Sequence, residues 1–208
     1  MQKRKNWREG WFSVFFVMNR LPLLFLMSLL YILPISRSFI QRLNSGNYRR
    51  KSFATTYAGN NLGTNLFDDY RSDFEFVSGT QWSQLESLTK LLVEWNSKVN
   101  LISRQDIPNI VSRHIIPSMA VAKWKRFAEN KKIIDIGTGG GLPGLPMAIL
   151  NPTCDFTLLD SNGKKIAVVS DISERIGLTN VHTVHDRAEN HKEVYDYMLG
   201  RAVSNLPK

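Results

Sequence analysis

The chain has 208 residues, 43% hydrophobic and 22% charged, with a net charge of +9. That length supports one domain with a sizeable core plus an extension. The single cysteine, Cys154, excludes an internal disulfide framework or a cysteine-based metal cluster. The four histidines, His114, His182, His185 and His191, show no metal-motif spacing, so no metal is expected.

The charge is unevenly placed. Residues 1–67 hold ten basic residues (Lys3, Arg4, Lys5, Arg8, Arg20, Arg37, Arg42, Arg49, Arg50 and Lys51) and one acid, Glu9. Residues 68–208 hold 17 basic and 17 acidic residues. The basic excess therefore belongs to the extension, and the global charge is no evidence that the domain binds nucleic acid. Local patches at Lys123-Trp124-Lys125-Arg126 with Lys131-Lys132, and at Lys164-Lys165, read equally as RNA contacts or as solvated helix faces.

An apolar stretch runs from Leu21 to Ile35 between Arg20 and Arg37. It carries Pro22 and Pro34 and is short for a membrane span, which needs about 20 residues. It fits the hydrophobic region of a signal peptide, with a cleavage area near Ile35-Ser36-Arg37-Ser38. An anchor over residues 11–35 is the alternative. Residues 36–67 contain no Asp or Glu and many hydroxyl side chains, which is transit-peptide composition. Together they resemble the two-part presequence of a plastid protein; a membrane-anchored or mitochondrial protein is the alternative. Residues 1–67 are thus expected to lie outside the fold, with membrane contact only through this segment.

The body begins with an expected helical region, residues 68–132. Trp82, Leu85, Leu88, Leu92, Trp95 and Val99 recur at helical spacing, predicting an amphipathic helix over 80–101 with Thr80 as its N-cap. Shorter helices are expected from Asp106 to Arg113 and from Ile115 to Trp124.

Residues 133–208 read as a cofactor-binding α/β half-domain. The apolar run Ile133-Ile134-Asp135-Ile136 enters a loop with five glycines in eight residues, Gly137 to Gly144. Such density costs too much chain entropy for an ordinary turn. A helical stretch, Pro146 to Leu150, precedes a second strand, Phe156 to Asp160, whose terminal acid can accept hydrogen bonds from a ribose. Gly139, Gly141 and Gly144 form a G-x-G-x-x-G with Asp160 about 20 residues on, as in nicotinamide-binding proteins. Two details favour S-adenosylmethionine. Asp135, two residues before the first glycine, can meet a cationic methionine end directly or through its neighbours. Pro143 and Pro146 leave few free amides for a diphosphate. A helix over Lys164–Ile176 and strands at Val181–His185 and Tyr195–Leu199 complete a doubly wound start with right-handed crossovers.

Several local signatures then carry a resemblance. Glu94-Trp95-Asn96 with Asn100-Leu101, Arg113-His114-Ile115 before Ser118, Asp135 to Gly144, Leu158-Leu159-Asp160-Ser161 with Lys164-Lys165, Arg187-Ala188-Glu189 and Arg201-Ala202-Val203 occur in order. Over residues 80–206 the chain resembles the bacterial and plastid small-subunit rRNA (guanine-N7)-methyltransferases, also called glucose-inhibited division protein B. The resemblance implies a class I S-adenosylmethionine-dependent methyltransferase fold, Rossmann-like, with an N-terminal helical cap. It implies methylation of guanine N7 in small-subunit rRNA, free or in an assembling ribosomal subunit; a monomer is expected, although the sequence does not give the oligomeric state. Carried over by position, Gly137, Gly139 and Leu142 line the cofactor, Asp160 holds the ribose and Ala188-Glu189 meet the adenine. Asp135 and Gly141 join this set from the motif itself, and Arg201 faces both cofactor and RNA. Arg113 and His114 are RNA contacts. No catalytic acid or base is assigned, because guanine N7 has a free lone pair and no proton to remove.

The sequence departs from the family at its end. The family continues past this point with a helix and strands five to seven, so the sheet is expected to be incomplete after strand four. A non-catalytic RNA- or ribosome-binding remnant and a nicotinamide-dependent oxidoreductase are the competing readings.

Overall fold

The computed structural model describes residues 66–201. The expected targeting segment, up to residue 65, and the final residues 202–208 lie outside the described residues.

A 3-10 turn at Asp68–Asp73 leads into helix α1, Gly79–Asn96. Ser78, not Thr80, caps it. The Ser78 hydroxyl accepts from Gln81 N at 3.2 Å, and Gln81 Oε1 accepts from Ser78 N at 2.9 Å. This reciprocal box satisfies two amides at once, which Thr80 has no partner to do. The apolar stripe faces inward as its spacing predicts, with Trp82, Leu85, Leu88 and Leu92 buried. The helix stops at Asn96, short of the expected residue 101. Asn96 Oδ1 accepts from both Leu101 N and Ile102 N at 2.9 Å, turning the chain back across the helix end.

The two short helices expected next merge into one helical run. A 3-10 turn, Ile107–Asn109, passes into a π-helical turn, Val111–Ile115, and then into α2, Ile116–Trp124. The wide turn places Ile110, Ile115 and Ile116 all fully in the core.

The α/β part follows in the expected order: β1 (Lys132–Ile136), α3 (Gly144–Leu150), β2 (Asp155–Asp160), α4 (Gly163–Arg175), β3 (Val181–His185) and β4 (Tyr197–Leu199). All pairings are parallel and the spatial order is β3-β2-β1-β4. The fold is a Rossmann-like α/β sheet with a helical cap. Among the described residues the sheet has four strands, with β1 and β2 interior. Parallel strands end at one edge. The loops after β1, β2, β3 and β4 therefore gather there, and they carry Gly137–Gly144, Ser161–Asn162, Asp186–Asn190 and Gly200–Arg201.

Helix α1 packs on α3 and α4, and Trp95 Nε1 donates to Asp171 Oδ2 at 2.7 Å. The basic residues Lys123, Lys125 and Arg126 lie over the rings of Phe74, Tyr197 and Phe76, respectively. That segment is thus engaged with the protein's own aromatic surface. No helix among the described residues is long and apolar enough to cross a membrane.

The boundary expected after residue 67 falls late. Phe67 is fully buried, with its ring 5.2 Å from that of Trp82. Phe67→Ala is expected to cost about 3–5 kcal/mol of stability, the usual loss for emptying a buried phenylalanine site. Urea unfolding of the full chain measures it, and an unchanged midpoint would put the start of the folded unit after Phe67.

Candidate cofactor site

The site is built around the loop between β1 and α3. Gly137, Gly139 and Gly141 adopt φ of 67°, 59° and 81°, a region that L side chains rarely enter. Gly144 is required for a different reason. A Cβ there would collide with Leu158 Cδ2 and lie 2.8 Å from Asp135 Oδ2. The start of α3 therefore lies directly on β1 and β2.

Asp135 holds this loop from beneath. Its carboxylate is fully buried. Oδ2 accepts from Thr138 Oγ1 at 2.7 Å and from Gly144 N at 2.9 Å, so one oxygen ties both ends of the loop to β1. Its other oxygen, Oδ1, has no hydrogen-bond partner among the described residues. Burial pushes the carboxyl up to about 6, against the opposing pull of its two hydrogen bonds and the Arg201 cation. Thr138 escaped the sequence reading, although it is the only hydroxyl inside the glycine run.

Asp160, at the end of β2, holds the loop from the side. Oδ2 accepts from Gly139 N at 2.9 Å and Oδ1 from Asn162 N at 2.8 Å. Each carboxylate oxygen keeps lone-pair capacity for a further donor. The turn after β3 presents Ala188 and Glu189, both exposed, beside the β2 end, because Asp160 and His185 are register partners. Leu142 is buried, and Leu101 of the α1–α2 connection lies 3.2 Å from where a Cβ on Gly140 would sit.

The loop amides bear on which ligand fits. Gly139 N and Gly144 N are taken by the two carboxylates, and Gly141 N and Leu142 N both reach Thr138 O. A diphosphate cradle needs such amides directed outward. Here they close the loop on itself. What the site offers a ligand is carboxylate oxygen at Asp160 and, deeper, two groups of opposite charge unmatched among the described residues: Asp135 Oδ1 and Arg201 Nη1. An acceptor–donor pair of that kind complements the zwitterion of an amino-acid end.

Arg201 follows β4 and is half-buried. Its Nη2 lies 3.2 Å from His114 Nδ1. Burial lowers its pKa, while Asp135 and Asp106 act to raise it. The ring nitrogens of His114 are turned inward to Arg201 and Asp106, not outward as an RNA contact requires. Arg113 remains exposed and pairs with Asp106. Asp106 was legible only as a helix start. Among the described residues no group of three or more His, Cys, Asp or Glu could hold a metal ion.

A raised carboxyl pKa has a defined signature. Folded Asp135 holds its proton more tightly than the unfolded chain does. That favours folding at pH below about 4 and is lost as pH rises through about 6. Asp135→Asn can keep an oxygen toward Thr138 and Gly144 and removes the titration. Relative to the native protein, its stability is expected to improve between about pH 4 and 7 by on the order of 2–3 kcal/mol. Thermal melts across that range test it; a pH-independent difference would sink the assignment.

The chain was compared with known proteins. The family model described as GidB, rRNA small subunit methyltransferase G, matches residues 81–208. A Ribosomal RNA small subunit methyltransferase G of Bacteroides fragilis (strain YCH46) is 42% identical over 149 residues, covering 72% of this chain and 65% of the relative. One of Phocaeicola vulgatus is 45% identical over 133 residues, covering 64% of each. The chain thus spans slightly less than two thirds of the length of these curated relatives. Among solved structures, a precorrin-6y C5,15-methyltransferase from Geobacter metallireducens GS-15 aligns with a TM-score of 0.33 and 19% identity over 43% of each chain. The match over residues 81–208, which takes in the glycine loop, Asp160 and Arg201, places the chain in the rRNA small subunit methyltransferase G family.

Proposed function

We propose that this chain transfers a methyl group from S-adenosylmethionine to N7 of a guanine in small-subunit rRNA. The family match over residues 81–208 carries this reading. The closed glycine loop supports the cofactor, because the amides of Gly139, Gly141, Leu142 and Gly144 serve Asp160, Thr138 and Asp135 and are not directed at a diphosphate.

Bound S-adenosylmethionine supplies an electrophilic methyl carbon on a sulfonium. In this reading Asp160 accepts from the ribose hydroxyls, and Ala188 and Glu189 flank the adenine. Gly137, Gly139, Gly141 and Leu142 form the floor, while Asp135 and Arg201 serve the methionine end. Guanine N7 would take the methyl carbon with its own lone pair as the carbon–sulfur bond breaks and its electrons return to sulfur, leaving S-adenosylhomocysteine; no proton is released, so the chain needs no general base. Its task is alignment and exclusion of water. N7 lies on the major-groove edge, which A-form RNA hides from side chains, so the target guanine must be unpaired or displaced. The exposed Arg113 suits a phosphate contact at the mouth. We further propose that the enzyme acts as a monomer on rRNA or an assembling subunit. Residues 1–67 are read as directing it to a plastid, and the N-terminus of the mature protein tests that.

Calorimetric titration of the full chain with S-adenosylmethionine, with NADH as control, is expected to show binding of the former alone. Radiolabel is expected to pass to small-subunit rRNA from undermethylated subunits. Asp160→Asn is expected to weaken cofactor binding roughly tenfold or more, through loss of a charge-assisted bond. Binding of NADH, or labelling of protein instead of RNA, would overturn the proposal.

A further inference from the structure

We propose that His114 is a positioning residue, whose Nδ1 accepts a hydrogen bond from Arg201 Nη2 and so fixes the guanidinium at the sheet edge, with Nη1 left for the cofactor's carboxylate. The inference rests on the cofactor reading above for the role of Arg201, but not for the contact itself.

The chemistry fixes the direction of this bond. An arginine side chain only donates, so the His114 Nδ1 that faces Arg201 Nη2 at 3.2 Å must carry the lone pair. The neutral ring then bears its proton on Nε2. That nitrogen is buried without a hydrogen-bond partner among the described residues, and Asp106 Oδ2 stands 3.4 Å away, close enough for electrostatic support. Arg113 holds the other Asp106 oxygen. The result is a chain of contacts from the cap to the sheet edge, Arg113, Asp106, His114 and Arg201, with Asp135 within electrostatic reach of its end. From Arg113 to Asp135 the charges run positive, negative, neutral, positive, negative.

Local backbone geometry supports a built arrangement. His114 sits within the π-helical turn Val111–Ile115, a form that recurs at functional positions because it re-aims one side chain. Ser118 Oγ donates to His114 O at 2.7 Å and secures the carbonyl in that turn. The His114 side chain is only 15% exposed.

A proton on His114 would cancel the function of the ring. Nδ1 would become a donor facing a guanidinium, and two cations would abut. Burial first, then the Arg201 cation, hold the His114 pKa below its ordinary 6.5, with Asp106 opposing and Arg113 adding a smaller push the same way. The folded state therefore keeps the neutral ring. Its contribution is complete above about 6.5 and is lost as pH falls through the lowered value.

The test uses the full chain with no ligand, and then with S-adenosylmethionine. Nitrogen-15 spectra of the histidine rings near neutral pH are expected to show His114 as the Nε2–H tautomer. His114→Ala should release the Arg201 guanidinium signal from its restricted state. In calorimetry, His114→Ala is expected to weaken cofactor binding roughly tenfold. His114→Asn should restore most of it, because its amide oxygen can stand where Nδ1 was. His114→Gln reaches the Nε2 position and should not. Native affinity is expected to fall with acidification from about pH 7 to 5; protonation of Asp135 contributes to that fall, so His114→Asn should make it shallower and His114→Asn combined with Asp135→Asn should remove it. An Nδ1–H tautomer would overturn the inference, as would an Ala variant with native affinity and pH profile. If the native protein binds no S-adenosylmethionine, the cofactor reading fails, while the ring spectra still decide the His114–Arg201 bond.

Discussion

A single buried carboxylate holds the functional end of this molecule together. Asp135 lies at full burial on β1, and its Oδ2 receives Thr138 from one side of the glycine loop and Gly144 from the other. Burying a carboxylate is costly unless it is hydrogen-bonded or paired. Here the two hydrogen bonds recover part of that cost and close a nine-residue span onto the strand that precedes it. Because the loop is closed from below, α3 begins where Gly144 touches Leu158, and β2 delivers Asp160 to the Gly139 amide. Two acids on neighbouring parallel strands thus brace one loop from two directions.

The helical cap joins this construction through few contacts of high consequence. Asn96 ends α1 and binds the Leu101 and Ile102 amides, which brings Leu101 over Gly140. The same connection carries Asp106 to the π-helical turn, where it meets Arg113 and His114. Asn96 is 7% exposed, so its two bonds are made away from competing water. The cap therefore forms part of the wall around the β-strand ends.

The parts of the structure legible in sequence were those encoded by short-range pattern. Strand, glycine run, helix and second acid lie within 30 residues, and the stripe from Trp82 to Leu92 states its helix by spacing alone. Boundaries were less legible. Ser78 was hidden behind Thr80 because a cap depends on which side chain reaches Gln81, and Phe67 was hidden because its neighbours on the N-terminal side have the composition of a targeting segment. The arrangement of the site was legible residue by residue but not as a network. His114, in the helical cap, and Arg201, after β4, are 87 positions apart, and only the tertiary fold brings them together. His114 accordingly read as a surface contact when its ring in fact faces inward.

The Gly139, Gly141, Leu142 and Gly144 amides close on Asp160, Thr138 and Asp135, so the shape of the Gly137–Gly144 segment is held by the chain's own groups. Ordering a loop at the moment of association subtracts from affinity, and a segment already ordered avoids that loss. Entry of a small molecule against this floor is then docking to a standing surface, without a coupled refolding step. Its heat-capacity change would reflect the apolar area covered and not the folding of the loop. Adaptation to different occupants falls instead to the rim, where Ala188, Glu189 and Arg113 are exposed and free of the loop's own bonding.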